Sequence, residues 1–441
     1  MWPLSNNARS KQFLPLLERP DGGMESMVQR VVRQAKEARL DAQITFATNA
    51  AQRDSIINQL GSDVDIVAEP ERRDTFPAIA LAASYLKLVK GCQDEEVVVV
   101  MPSDPYTELG YFEGIKTMAE EVKRNAAELV LLGIEPTYPS EKYGYVVPVR
   151  NDSLAFRVES LEAASLPVSR FTEKPSVTVA EELLREGALW NGGVFAFKLG
   201  YMMSIVRKYI QAASFEETYA RYREFPKISF DYEVAEKATS VAVVPYTGKW
   251  KDLGTWNTLT EELSHESIGN VLLGDSNENT HVINELDVPV FCNGMKDTVV
   301  ACSPDGILVC AKEKSETIKQ YVDRLELRPM YEERRWGAYK VLSDVAYADG
   351  SRALTKTITL RAGKNISYQL HHKRDEVWTI VDGEGLFVLN GETRAVSRGD
   401  VCVIRKEQLH AIKAITELVF VEVQIGCPLV EEDIERFDWT W

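Results

Sequence analysis

The chain has 441 residues, 45% apolar and 27% charged, a composition that excludes disordered and fibrous classes and calls for two or three domains. Lys and Arg total 51 against 67 Asp and Glu, for a net charge of −16 with no basic run. Nucleic acid and anionic membranes are thereby excluded as main partners, while a local basic pocket for a small phosphorylated molecule is not. Apolar runs such as VVVVM at 97–101 fall far short of a membrane span. The six cysteines form no CxxC pair, as expected of reduced thiols in a cytoplasmic protein.

The opening MWPLSNNARSKQFLPLL has no charged region followed by an apolar one and a small-residue cleavage site, so it does not read as a leader; it reads as the middle of something. Met27, Val28, Val31, Val32 and Ala35 then share one face of a helix predicted between 24 and 40. After it come ITFAT, a helical AQRDSIINQL, DIVAEP, a helix over 78–90 and EEVVVVMPSDP. Short apolar runs alternating with helices predict βα units around a mostly parallel sheet, and VVVVM, apolar throughout, predicts a central strand covered on both faces. The pattern continues through ELVLLGI, YGYVVPV and a helix over 178–186 to VAVVPYTGKWKDLGTW. From 269 to 313 short strand-like runs are separated by turn residues, which predicts stacked short strands, followed by a helix over 314–327. Beyond the boundary at Arg328 and Pro329, alternating strands with Gly-rich turns predict a small β-barrel or sandwich. The expected division is 1–264, 265–328 and 329–441.

In an open α/β sheet, ligands bind beyond the carboxyl ends of the strands, so the residues that follow each strand are the candidates. Asp104 follows VVVVM in PSDP, and Asp252 lies in the turn WKDLG. Either alone reads equally as a turn or cap residue; brought together they would suit Mg²⁺, which takes one or two carboxylates plus phosphate and water. RRDTFPA, EKYGYV, FTEKP, WNGGVFAF and SFDYEVAEK each join a Gly or Pro that sets the backbone to a side chain able to grip a hydroxyl or phosphate.

In this order and wording, the segments resemble the bacterial mannose-1-phosphate guanylyltransferases of the long form that carries a mannose-6-phosphate isomerase-like tail. The likeness runs from Trp2 nearly to the C-terminus. It implies a Rossmann-like nucleotidyltransferase domain, a short stacked β segment and an all-β cupin barrel. In that family a strand and a Gly-rich loop lead into Arg-Leu-Trp-Pro-Leu-Ser and Lys-Gln-Phe-Leu. Here WPLS is 2–5 and KQFL is 11–14, Met1 stands at the family's Leu and Ser10 at its Pro. The expectation is that this chain starts at the end of that loop, lacking the first strand and its glycines, from a misplaced start or a truncated frame. Such a loss would leave two neighbouring strands with unpaired backbone groups.

Residue by residue, the resemblance implies Lys11 and Lys174 at the phosphates, and Asp104 and Asp252 on Mg²⁺. It places Glu173, Gly144, Asn191, Asp231 and Glu236 on the sugar side, and Arg72 or Arg73 at the nucleotide. The implied partners are GTP and mannose 1-phosphate, giving GDP-mannose and pyrophosphate. The tail GKNISYQLHHKRDEVWTIVDG fits a first cupin motif, with Gln369, His371, Glu376 and, from the second motif, His410 as ligands of a divalent metal, Zn²⁺ or similar. Matching isomerase positions are Arg335, Lys356, Arg374 and Arg436. Val377 stands where the family usually has His, and Arg405 and Glu407 replace Pro and Gly, so isomerisation of mannose 6-phosphate and fructose 6-phosphate and a purely binding barrel both stay open. Also open are another NDP-sugar product, a non-catalytic sugar-phosphate-binding homologue, and a homodimer formed through the extended β segment.

Overall fold

The computed structural model describes residues 1–6, 9–149, 164–325 and 328–441. It falls into two compact units, one of Pro15–Arg53 with Gln59–Gly254, the other of Met1–Leu14, Asp54–Asn58 and Thr255–Trp441.

The first unit is built on a six-stranded sheet with the spatial order Val97–Val100, Leu189–Lys198, Leu129–Ile134, Val241–Tyr246, Leu166–Thr172, Tyr145–Pro148. Only Leu129–Ile134 and Val241–Tyr246 pair in parallel among the described strands of this sheet; the other pairings are antiparallel. Leu189–Lys198 inserts against the direction of both its neighbours, so the sheet is mixed rather than mostly parallel. Alternation of strands with helices predicts which segments enter a sheet, but a run buried on both faces carries no signal of direction.

A second correction concerns Val97–Val100. Instead of lying centrally, it ends the sheet, bonded among the described residues to Leu189–Lys198 alone; its four half-buried valines are nonetheless covered on both faces, Val97 and Val99 by one core cluster and Val98 and Val100 by the other. Thr45–Asn49 and Asp65–Glu69 form a separate parallel pair.

The core is legible as period two. Along Leu129–Ile134, Leu129 and Leu131 face a cluster with Phe76, Leu81, Phe197 and Phe230, while Val130 and Leu132 face the other with Tyr111, Phe112, Met118 and Trp190. The first predicted helix is Met27–Glu37, started by a capping box in which Ser26 Oγ accepts from the Gln29 N–H and Gln29 Oε1 accepts from the Ser26 N–H.

In the second unit, Ser267–Gly269, His281–Asn284 and Thr298–Ser303 stack in parallel, Val271–Leu273 stacks on Val290–Cys292, and Gly306–Ala311 returns antiparallel. The helix expected over 314–327 is a 3₁₀ stretch, Lys312–Thr317, and one short α-helix, Ile318–Val322; residues 326 and 327 lie outside the described ones. The WPLS segment docks on this layer. The Trp2 carbonyl accepts from the Trp256 indole (3.0 Å), the Pro3 carbonyl accepts from Ser303 Oγ (2.8 Å), and a Cβ at Gly306 would meet the Trp2 ring at 2.5 Å. The barrel that follows has two sheets. One runs Tyr331–Arg334, Gly337–Ala346, Arg352–Leu360, Leu418–Gly426, Arg374–Asp382, Val401–Ile404. The other runs Glu392–Ser397, Glu384–Leu389, His410–Ala414, Asn365–Leu370, Glu435–Phe437.

Phe76 is fully buried and packs edge-on against Tyr209 and Phe225. Phe76→Ala is expected to destabilise its unit by roughly 3–5 kcal/mol; an unchanged urea midpoint for that unit would contradict this packing.

Candidate active site and metal centre

In the first unit the strand pairing that matters is short. Trp250–Asp252 runs antiparallel to Pro105–Thr107 with Asp252 opposite Pro105, the residue that follows Asp104. Directly opposed Cα atoms lie about 4.5–5.5 Å apart, so two acids that are 148 positions apart (252 − 104) become neighbours. Asp252 is exposed and Asp104 half-buried. A Cβ on Gly254 would sit 3.2 Å from both Asp252 carboxylate oxygens.

A second cluster gathers the predicted sugar-side residues. Asn191 lies at a break in register between Asn191 and Phe195, a bulge in which Gly193 takes φ +69° and its N–H donates to Asn191 Oδ1 (3.1 Å). Asn191 Nδ2 then donates to Asp231 Oδ1 (2.6 Å), and the Asn191 N–H to the Gly144 carbonyl (2.8 Å). Asp231 opens a π-helical turn, Asp231–Ala235, preceded by Phe230, whose N–H donates to Thr75 Oγ1 (2.8 Å). Glu173 is half-buried, its side chain 6% exposed, and pairs with Lys174 Nζ through Oε1 (2.9 Å), and Lys174 takes φ +45°, uncommon for a side-chain-bearing residue. The other Glu173 oxygen is buried without a hydrogen-bond partner and fills the space a side chain at Gly144 would need.

Burial pushes the Glu173 carboxyl up, aided by the charges of Asp231 and Glu236 and opposed by Lys174. Burial also raises Asp231, while the ion pair with Glu173 raises Lys174.

The sequence did not single out the aromatic wall here. Tyr143 packs tilted against Trp190 (4.8 Å) and edge-on against Trp250 (5.4 Å), and Tyr138 packs edge-on against Trp190 (5.1 Å). Both indole N–H groups are buried without a hydrogen-bond partner. The readable signal was a Trp directly beside each acidic or amide motif, in WNGG and WKD.

Three further cationic residues are predicted at the phosphates and the nucleotide. Arg73 is held by Glu71 (2.9 Å) and the Phe225 carbonyl (3.1 Å), and Arg72 is exposed. Lys11 opens the 3₁₀ turn Lys11–Phe13 and belongs to the other unit.

The barrel holds the second site. His371, Glu376 and His410 are buried with ligand-type atoms all within 4.8 Å of one another. His371 Nδ1 is 2.6 Å from the Asp433 carbonyl and His410 Nδ1 is 3.0 Å from the Gln408 carbonyl. A carbonyl only accepts, so each Nδ1 carries the proton and each Nε2 turns a lone pair inward, the arrangement found behind metal-bound histidines. His410 Nε2 is buried and unpartnered, 3.6 Å from Glu376 Oε2. Two imidazole lone pairs facing a carboxylate fit a divalent cation. Gln369 approaches His371 with its amide nitrogen (3.4 Å), and its oxygen accepts from Ser367 Oγ (2.8 Å); an amide flip would turn that oxygen inward.

Arg374 and Lys356 are also inside, on Glu376 (2.9 Å) and Glu431 (2.8 Å) respectively. Arg335 lies 3.8 Å from Asp54 and Arg436 is exposed on the strand beside Gln369, so neither is buried with them.

The sequence reading missed Glu422. Trp378 Nε1 donates to both Glu376 Oε2 and Glu422 Oε1 (3.2 Å each), and Gln424 Nε2 donates to Glu422 Oε2 (2.9 Å). Burial drives Glu422 upward, reinforced by the Glu376 charge. For Glu376 burial acts in the same direction but is outweighed, with the Arg374 guanidinium bonded to it (2.9 Å) among the groups that hold it low.

With these geometries in place, the comparisons decide the family. The profile of the nucleotidyl transferase family matches residues 1–267, and that of the mannose-6-phosphate isomerase C-terminal domain matches residues 326–439. The chain belongs to the nucleotidyl transferase family. It is 30% identical to a mannose-1-phosphate guanylyltransferase of Salmonella montevideo, over 99% of this chain and 96% of the relative, and 28% identical to that of Escherichia coli K12 over 99% and 95%. A solved structure from Thermus thermophilus, described as a mannose-1-phosphate geranyltransferase, is 30% identical with a TM-score of 0.58, covering 74% of this chain and 96% of its own. As for membranes, no described helix is long and apolar enough to cross one.

A carboxyl held neutral by burial gives its full stabilisation below its ordinary value of 4.5, and loses it as the pH rises toward the folded value. The barrel of Glu422→Gln, measured with chelator present, is therefore expected to lose less of its melting temperature than the wild type between acidic and mildly alkaline pH. Parallel pH profiles for the two proteins would contradict the raised Glu422.

Proposed function

We propose that the chain makes GDP-mannose and pyrophosphate from GTP and mannose 1-phosphate, in the cytoplasm. The observation that carries this reading is the register that sets Asp252 opposite Pro105, beside Asp104. Two neighbouring carboxylates suit Mg²⁺, which takes phosphate and water as its other ligands and when bound neutralises charge on the triphosphate. The attacking group, an oxygen of mannose 1-phosphate, is an anion at neutral pH, so no side chain has to take a proton from it. It bonds to the α-phosphorus of GTP as the bond to the departing pyrophosphate breaks.

The chain's own groups then have positioning to do. Lys174 meets phosphate charge. Asn191, Asp231 and the buried carboxyl of Glu173 supply acceptors and an amide for sugar hydroxyls, and the unpartnered indole N–H groups of Trp190 and Trp250 supply two donors. Lys11 and Arg73 take the roles at the phosphates and nucleotide that the family resemblance gives them.

The test is pyrophosphate release from GTP and mannose 1-phosphate with Mg²⁺, for the chain as printed and for a form extended upstream with a Gly-rich loop. Activity in either form is expected, and inactivity in both moves the reading to a sugar-phosphate-binding protein. Asp252→Asn is expected to lower kcat/KM by at least about 100-fold, beyond the 10–100-fold typical of a residue that only supports a metal ligand, with circular dichroism unchanged. Wild-type turnover in that variant would remove the metal assignment.

A second activity in the barrel is favoured by the two inward Nε2 atoms and Glu376. Interconversion of mannose 6-phosphate and fructose 6-phosphate moves a proton between C1 and C2, and a bound divalent metal there would polarise the sugar oxygens. His410→Ala is expected to lose the barrel's metal by elemental analysis and any isomerase turnover with it, while pyrophosphate release stays within about twofold.

A further inference from the structure

Lys356, His371, Arg374 and Glu376 are buried inside the barrel, and part of what covers them is the turn that follows the strand Leu418–Gly426, between Leu429 and Asp433. Both ends of this turn are buried, Leu429 in the apolar core with Ile358 and Phe420. The groups between them face polar partners. The Val430 carbonyl accepts from Arg374 Nη1 (2.9 Å), Glu431 Oε1 accepts from Lys356 Nζ (2.8 Å), and the Leu429 carbonyl accepts from Arg328 Nη2. The Asp433 carboxylate accepts from the His372 and Lys373 N–H groups (3.1 and 3.2 Å). The backbone of the turn is thus fixed at both ends, and the Glu431 side chain hangs from its middle.

Three cations meet around Glu431 and are unequally served. Arg374 has Glu376 as a partner (2.9 Å). Lys356 lies over the Tyr339 ring, 4.6 Å from its centre, and the carboxylate paired with it is Glu431. Arg328 Nη1 is buried without a hydrogen-bond partner among the described residues. A buried guanidinium N–H that lacks an acceptor is costly, and it marks a place where an anionic oxygen fits. Burial pushes the Glu431 carboxyl up, but the charges of Lys356, Arg374 and Arg328 outweigh it and hold it low. The anion is also the accessible partner, since the Glu431 side chain is 45% exposed where that of Lys356 is 4%.

One carboxylate answers this group of cations only in part. A phosphate monoester carries about −1.5 to −2 charge at neutral pH and three acceptor oxygens, so it can meet Lys356 and the idle Arg328 N–H together, whereas Glu431 brings one charge and two oxygens. Because Leu429 and Asp433 hold the turn, the exchange needs only the Glu431 side chain to rotate into water, and the path it vacates leads to Lys356. We propose that Glu431 is an internal latch: its carboxylate occupies, on Lys356 and beside Arg328, the place that the phosphate of a hexose phosphate takes when it binds the barrel, and competes with it. A tethered competitor acts at a high effective concentration and so lowers the apparent affinity for the free anion. The inference rests on the reading of the barrel as a hexose 6-phosphate site.

The test is isothermal titration calorimetry of the full chain with inorganic phosphate and with mannose 6-phosphate, counting as barrel binding the part that Lys356→Met removes. Glu431→Gln, which keeps the shape and removes the charge, is expected to bind both at least about tenfold more tightly than the wild type. Glu432→Gln, the same change on the neighbouring exposed residue, is expected to stay within about twofold of it. Mannose without phosphate is expected to bind Glu431→Gln and the wild type alike. Equal phosphate affinity in the wild type and Glu431→Gln would overturn the latch and leave the sugar-phosphate reading standing. Equal tightening by Glu432→Gln would reduce the effect to net charge and overturn the latch too. If neither the wild type nor Glu431→Gln shows binding that depends on Lys356, the latch and the sugar-phosphate reading fall together. Should Lys356→Met lose its strand circular dichroism, Arg328→Gln takes its place in the comparison.

Discussion

Carboxylates crowded together out of water cannot all be ionised unless something positive joins them, and this constraint organises both units. Around the sugar-side cluster, Glu173 is drawn up by burial and by Asp231 and Glu236, and the nearest reply is Lys174, held in a backbone conformation that a Lys rarely adopts. In the barrel, Glu376 and Glu422 share the Trp378 indole as donor and settle on opposite sides of the normal range, because Arg374 bonds Glu376 directly while at Glu422 burial outweighs the more distant charges of Lys356 and Arg374. Each buried carboxyl is thereby held either neutral or beside a cation.

The surrounding structure is arranged to hold those acids still. The register break at Asn191, the π-helical turn at Asp231 and the tight contact of Glu173 with Gly144 each depart from regular structure, and all three meet at one place. The regular parts, such as Leu129–Ile134 with its two buried faces, supply the rigidity that lets these departures persist.

How much of this the sequence disclosed follows from what hydrophobic pattern encodes. Helices such as Met27–Glu37 were legible from their apolar face, and the barrel from its alternation. Strand direction was not legible, because a run like Leu189–Lys198, buried on nearly every residue, looks the same read either way. The edge position of Val97–Val100 was equally hidden, since four valines state only an affinity for apolar neighbours. Asp104 and Asp252 were identified by type and position, but their adjacency depends on the pairing of two three-residue strands that no periodicity marks. Trp190, Trp250 and Glu422 were passed over because an aromatic or an acid within a strand pattern reads as packing or as a solvated position. Glu422 in particular occupies an inward place where the pattern leads one to expect Leu or Val.

That displacement divides the barrel's interior into a polar end and an apolar one. Side chains alternate strictly along a strand, so placing Lys356, Glu376, Glu422 and Gln424 inside spends on a polar site the positions that would otherwise supply apolar burial. The inward rows remain apolar only at the other end, around Ile358, Ile380, Leu418 and Phe420. Loss of apolar area at that end therefore loosens the polar site as well, since no inward apolar row backs Glu376 and Glu422.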